Sequence, residues 1–309
     1  MRASRKGLRN NKTSLAIRIF AYIFLSAGSL LMIYPVVFIL LSSLFTPQEF
    51  FQMKFGLFPI PKNPTFTNIK QLFFIGADVY NIQYFSNTLL RTLYGTLNAA
   101  LTALLAGYVF ARLKFKFKGA IFMVLLSTQM LPGVFSIMPT YITLYRFPFA
   151  GGNNIFMGGR GLFDTMGVYI LLNGPAISII GMFLVRQALH ALPTSLEEAA
   201  KVDGAGTFRI IFQIVLPMVR AVLAYLVIIT AIGIWNDWQV SHFYTQSRSL
   251  RVLGSALSKI TSTMGTPGIR VDYPLIMTFS LLLTLPSVII FFIFQKNIVQ
   301  GLVSAGIKG

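Results

Sequence analysis

Apolar residues in this chain fall in long unbroken runs, not in the every-other-residue alternation of a strand with one wet face. Six runs can be drawn, at 16–44, 86–110, 119–143, 166–189, 219–240 and 274–294, with Pro, Gly and charged residues collected between them. A helix rises about 1.5 Å per residue, so about 20 apolar residues cross the roughly 30 Å of hydrocarbon in a bilayer. Backbone groups in lipid must be paired internally, which leaves helices or closed barrels, and the lack of alternation selects helices. The pattern predicts an all-α membrane protein: one six-helix domain over 15–294, a basic amino-terminal segment, 1–14, and a tail, 295–309. No fixed-period repeat or low-complexity tract divides it.

Composition agrees, since a chain that is 55% apolar and 11% charged has too little polar surface for a soluble domain of 309 residues. Charge sets the expected orientation. Lys and Arg are retained on the inner side of short loops; with the amino terminus inside, the inner segments hold 15 of them and the three outer loops 9. An even number of spans then returns the carboxyl terminus to the cytoplasm. The net charge of +18 is accounted for by topology and anionic lipid. Its basic residues are scattered along loop edges, not gathered in the single stripe of a nucleic-acid binder. Small residues at Ser26, Ala27, Gly28 and Ser29 look like a signal cleavage site, but the apolar run continues to Leu41, so an uncleaved first span is expected. With no Cys, disulfides, iron–sulfur clusters and thiolate zinc sites are excluded.

Chemistry of its own is missing from the chain. A phosphate-cradling loop ends in Gly-Lys-Ser/Thr, and the only Lys followed by Ser or Thr is Lys12, which follows Asn11. Gly204-Ala205-Gly206 begins like a dinucleotide turn, yet Arg209 stands where a third small residue is needed. Two distant histidines, His190 and His242, assemble neither a helical zinc pair nor a triad. If ATP drives this protein, another polypeptide must hydrolyse it.

One segment, 198–217, has residue types suited to a partner more than to lipid. Pro193, Thr194 and Ser195 start a helix whose first turn carries Glu197 and Glu198, where the helix dipole favours carboxylates. Asp203-Gly204 ends it, glycine allowing a positive φ. A second short helix, about 208–215, is expected before Leu216-Pro217 breaks it ahead of the fifth span. Helix, turn and helix would make a knob on the inner face.

The order Glu198-Ala199-Ala200, then Gly204, Ile214 and Leu216-Pro217 resembles the EAA loop of bacterial ABC importer permeases. Tyr34-Pro35, Ser86-Asn87, Trp235-Asn236 and the ending from Gln295-Lys296 through Gly301 to Lys308-Gly309 are similar to the maltose-type carbohydrate permeases, so the likeness covers nearly the whole chain. It implies the transmembrane domain of a type I ABC importer in the bacterial cytoplasmic membrane, transporting carbohydrate without catalysis of its own. It also implies a second, similar permease chain, two cytoplasmic ATPase subunits binding ATP and Mg, and an extracytoplasmic sugar-binding protein. Glu198, Ala199, Ala200, Asp203, Gly204, Leu216 and Pro217 would form the coupling helix that sits in a groove of the ATPase. Its small residues would allow close approach, and Glu198 would meet a basic partner. An EAA loop also serves importers of peptides, amino acids or phosphate; only Trp235-Asn236 and the Lys-Gly ending favour sugar. An ion-coupled carrier would need intramembrane carboxylates, and the spans offer only Asp237.

For the substrate pathway the candidates are the intramembrane polar residues Gln129, Asn173, Trp235, Asn236, Asp237 and Trp238. An indole face beside hydrogen-bonding groups suits a sugar. The same residue types also serve interfacial belts and interhelical hydrogen bonds. Arg91 could attract an acidic sugar or snorkel to headgroups. Loops 45–85 and 241–273 are candidate docking surfaces for the binding protein, the Gly-rich stretch around 151–161 is expected to be an outer turn, and the glycines of the tail would permit an extended path toward the ATPases.

Overall fold

The computed structural model describes residues 3–52, 58–73, 80–153, 158–174, 177–262 and 271–306. Among these the regular elements are helical: α1 (Ala3–Ser42), α2 (Pro47–Gln52), α3 (Thr67–Phe73), α4 (Tyr80–Arg112), α5 (Lys118–Thr128), α6 (Ile137–Tyr145) and α7 (Gly167–Asn173). They continue with α8 (Ile179–His190), α9 (Ser195–Val202), α10 (Thr207–Arg209), α11 (Leu216–Asn236), α12 (Gln239–Tyr244), α13 (Leu253–Ser262) and α14 (Tyr273–Gly306). The chain divides into two units, Met1–Gly76 with Gly265–Leu282, and Ala77–Met264 with Leu283–Gly309.

In the first unit α1 is apolar on every side from Ile17 to Ser42, and its most apolar stretch has no buried residue within the chain, as suits a helix surrounded by lipid or another subunit. Its end is closed by Asn68 of α3, whose amide donates to the carbonyls of Ser43 (2.8 Å) and Phe45 (2.7 Å). Edge-to-face and stacked contacts among Phe45, Phe50, Phe51 and Tyr273 hold the turn through α2, with ring centres 5.7–5.9 Å apart.

The second unit is built around α4, which packs on α8, α11 and α7. Lipid supplies no hydrophobic drive between helices, so close backbone approach must do the work, and small residues permit it. A Cβ at Gly107 of α4 would stand 2.6 Å from Val185 of α8, and one at Gly181 of α8 would stand 2.7 Å from Ala103 of α4. Below this seam Leu104, Tyr108, Val185, Leu189, Ile210, Ile211, Val215, Val219 and Leu226 form a buried core.

The six expected spans are met unequally. Four helical segments, Ile17–Ser42, Ile82–Arg112, Thr207–Asn236 and Tyr273–Ile290, are long and apolar enough to cross a membrane, and two bent pairs would bring the number to six. The run 119–143 is one of these pairs, bent by 94°. There Pro132, lacking an N–H, and the residue before it cannot extend α5. The other bent pair is α8 with α9, at 86°. The run 166–189 is interrupted as well: α7 ends at Asn173, Gly174 leaves helical geometry (φ −101°, ψ −112°), and α8 begins at Ile179.

Leu216-Pro217 does not break the helix. Residues Ile210–Val215 form a π-helical turn, with the Leu216 N–H bonded to the Ile211 carbonyl, and α11 continues from it. The wider turn takes up the proline that an α-helix would reject. At the other end α11 stops at Asn236, since Asp237 is extended (ψ 107°), so Trp238 caps and Val240 lies within the new short helix α12, outside the fifth span. The backbone of 295–306 continues α14 as helix instead of an extended tail, and Lys308-Gly309 lie outside the described residues.

Candidate functional site

The segment 194–209 is a knob with two different faces. Glu197 and Glu198 are adjacent, about 100° apart around the helix, so one turns inward while the other turns out. Glu197 is 3% exposed and accepts from Arg112 Nε at 2.8 Å, while the same guanidinium donates to the Leu192 carbonyl at 3.2 Å. This ion pair ties α9 to the end of α4. Ala200 and Ala205 pack beneath against the buried core. The exposed face carries Leu196, Glu198, Ala199, Lys201, Val202 and Phe208. Val202 is 88% exposed and, with the exposed Leu196 and Phe208, leaves this short segment with several uncovered apolar side chains. Glu198 accepts only a local bond from Thr194 Oγ1, 2.7 Å.

The turn between the helices is a Schellman closure: Ala205 N–H bonds to Ala200 C=O (2.9 Å) and Gly204 N–H to Lys201 C=O (3.0 Å) around Asp203 as C-cap. Gly204 has φ +79°, as the sequence predicts, and nothing lies within 4 Å of where its Cβ would be. Its glycine is required by conformation, and the space beside it is open. Leu216 and Pro217 sit at the π-to-α junction, under the knob and not within it.

The polar residues expected along the substrate path are dispersed. Gln129 caps the end of α5 at the bend, where its amide reaches only Thr128 Oγ1 at 3.4 Å. Asn173 donates to the Tyr169 carbonyl one turn back (3.1 Å), tying down the end of α7. Trp235 is 4% exposed: its indole N–H donates to the Leu283 carbonyl at 3.0 Å, and its ring meets Phe85 edge-on at 5.8 Å. Enclosed in this way, the indole packs between helices in this structure and presents no open face. Asn236 is exposed, donating to Ile232 C=O (2.9 Å) and within reach of Ser287 Oγ (3.4 Å). Trp238 lies half-exposed edge-on to His242 at 5.3 Å.

Asp237 is not a free intramembrane acid. Its carboxylate pairs with Arg91, whose guanidinium also donates to the Asp237 carbonyl at 2.9 Å, and its other oxygen accepts from the Gln239 N–H at 2.9 Å. Arg91 is 2% exposed and lies 5.3 Å from the centre of the Tyr169 ring. It does not snorkel, and its burial is made tolerable by the paired charge. Nearby, Asn87 donates to Ser249 C=O (2.7 Å) and Arg251 C=O (3.0 Å), and Thr88 Oγ1 accepts from Leu253 N–H (2.9 Å), so α4 clamps the segment after α12. Asp164, at φ +56°, accepts from the backbone of Gln246 and Ser247 and from the Ser247 hydroxyl, each at 2.7 Å. Burial alone would raise its pKa, but these bonds and the charge of Arg160 together hold the carboxyl below the usual carboxylate value.

Sequence reasoning missed Glu197–Arg112 and Arg91–Asp237. Both join residues 85 or more positions apart. The available signal was stoichiometric: a chain with 8 acids against 26 bases, and an Arg and an Asp inside apolar runs, must pair its buried charges.

Residues 103–304 match the family described as the inner membrane component of binding-protein-dependent transport systems. The melibiose/raffinose/stachyose import permease protein MelC of Bacillus subtilis is 30% identical over 73% of this chain and 75% of its own length. The arabinooligosaccharides transport system permease protein AraQ of the same species is 28% identical over 98% of this chain and all of its own. A crystal structure of a bacterial ABC transporter for the acidic polysaccharide alginate contains a chain of the same fold, with a TM-score of 0.75 at 17% identity over 92% of this chain and 97% of that one. With the knob, the helical bundle and this match over most of the sequence in hand, the chain belongs to the family of binding-protein-dependent transport system inner membrane components, the permease subunits of ABC importers.

Proposed function

We propose that this chain is one permease half of an ATP-driven importer that carries an oligosaccharide across the bacterial cytoplasmic membrane. The observation that carries the reading is the knob. Its inner face is anchored by a buried ion pair and its outer face leaves Leu196, Val202 and Phe208 uncovered around an open Gly204 turn. Such a surface suits insertion into a partner. Relatives named for oligosaccharides over nearly the whole chain supply the substrate class.

Under this reading the amino and carboxyl termini and the knob face the cytoplasm, where two ATPase subunits bind ATP and Mg and receive the knob. Closure of the ATPase pair moves the knob as a rigid body, and the helices rooted to it through Arg112 and the π-helical turn reorient between inward and outward openings. A second permease chain completes the path. A loaded binding protein outside drives the cycle to the extent that it binds the outward state better. This chain contributes no catalytic group; Asn236 and Gln129, both exposed, remain its candidates for lining the path.

In a reconstituted complex, Gly204→Trp strains only the exposed turn at φ +79° and meets no described neighbour, so it should still insert, and should lose binding-protein-stimulated ATPase activity and uptake. Full coupling in that variant would overturn the assignment of the knob. Uptake of labelled oligosaccharides against labelled peptides in cells carrying the complete importer tests the cargo, and preference for peptide would overturn it.

A further inference from the structure

Between α4 and α5 the chain runs Leu113-Lys114-Phe115-Lys116-Phe117, and the family reading gives this link no role. All five residues are exposed, with Phe117 at 67%. Phe117 also adopts φ +62°, a left-handed conformation that bulky residues avoid and that persists only where surroundings over-determine it. The ring is thereby held out from the helix ends, with Lys116 Nζ 5.3 Å from its centre.

Behind the link lies a built cationic corner. Lys118 Nζ donates to the carbonyls of Ala111, in the last turn of α4 (3.4 Å), and of Leu113, just past it (2.9 Å). Arg186 of α8 donates to the Phe110 carbonyl (3.3 Å) and lies 4.0 Å from the centre of the Phe122 ring, so both are fixed in place. Their charges lie within Coulombic range of one another, and the carboxylate of Glu197 is already paired with Arg112. An apolar floor of Phe110, Phe122, Met182 and Phe183 completes the corner.

We propose that this corner and the Lys114–Lys116 link bind the phosphate of an anionic phospholipid headgroup. The link is too short to leave the membrane surface: five residues span at most about 18 Å, and they must join two helices of the bundle. Phe115 meets Phe110 of the floor edge-on at 5.5 Å, while the exposed Phe117 matches that depth, its ring at the acyl boundary and the flanking ammonium groups at the phosphates. A protein partner would not require rings on alternate residues of so short a link.

The test uses the complete purified importer, with native mass spectrometry following a titration of phosphatidylglycerol against phosphatidylcholine. Replacing both Lys114→Gln and Lys116→Gln should weaken phosphatidylglycerol binding about thirtyfold, from about 1 kcal/mol per lysine near the surface. Raised salt should shrink the difference. Arg at both positions should preserve binding, and Gln at Lys62 and Lys70 should change nothing. Phe117→Gly relieves the backbone strain, so it should keep or raise the melting temperature while weakening lipid binding. Unchanged phosphatidylglycerol affinity in the Lys and Phe117 variants, with the complex intact, would overturn the proposal. So would displacement by inorganic phosphate at comparable concentration, which would assign the corner to free anion, or loss of the ATPase subunits with lipid binding retained, which would assign it to protein. Lipid affinity is read independently of uptake, so failure here leaves the transport function standing.

Discussion

Trp235 shows how far one residue type can mislead and how its environment corrects it. A Trp-Asn pair near the end of a span reads equally as sugar site or as packing; a buried ring with its N–H given to Leu283 is packing. Trp235→Phe should keep most of the volume and lose about 1 kcal/mol of hydrogen bonding. A lowered melting temperature with an unchanged KM for uptake is therefore expected, and a raised KM at unchanged stability would return Trp235 to the substrate path. Asp237 is paired, so Asp237→Ala should strand the buried Arg91 charge and cost on the order of 3–5 kcal/mol, visible as a large fall in melting temperature. Arg91→Met with Asp237→Leu should recover much of that loss. Asp164 makes a prediction in pH. Its folded pKa lies below the ordinary value of 3.8, so its contribution is present in full above that value and is lost as pH falls through the lower folded one. In Asp164→Asn this acid-side loss should be absent from a melting-temperature profile.

In the proposed function, elements carry the coupling. The helix α9 is legible from local sequence because capping residues, helix formers and a Gly at the turn stand in order. The left-handed Gly204 and the paired hydrogen bonds around it follow from that local sequence. Which of its two carboxylates faces inward is not legible there, because the answer depends on Arg112 arriving from 85 residues away. The two should separate cleanly. Glu197→Gln should loosen the knob, raising amide exchange over 195–209 and lowering stability, whereas Glu198→Gln should leave exchange unchanged and weaken binding of the ATPase subunit. Equal exchange in both variants would contradict the assignment of the two faces. The π-helical turn at Ile210–Val215 is likewise hidden, since proline predicts a break wherever a wider turn is not considered.

At the level of the whole molecule the distribution of Lys and Arg sets the expected orientation, and the absence of Cys makes it easy to measure. A single Cys placed at Lys201 or Lys116 should react with a membrane-impermeant maleimide only when the cytoplasmic face is opened. One placed at Lys62 or Gln246 should react from outside in intact spheroplasts. The opposite pattern would invert the chain and with it the coupling scheme.

Apolar runs of span length, the loop residues 198–217 and the missing phosphate loop sufficed for an all-α membrane fold, the permease family and the knob, because each of these rests on local spacing, on composition or on a motif contiguous in sequence. The third run bends at Pro132, the fourth parts at Gly174 and α11 ends before Trp238, breaks that a hydropathy window does not register. Packing across long separations had to supply the rest. It enclosed Trp235 and matched Arg91 with Asp237. Hydropathy averages over a window, whereas a buried charge answers to whichever helix stands beside it, and that neighbour is set only when the chain has folded.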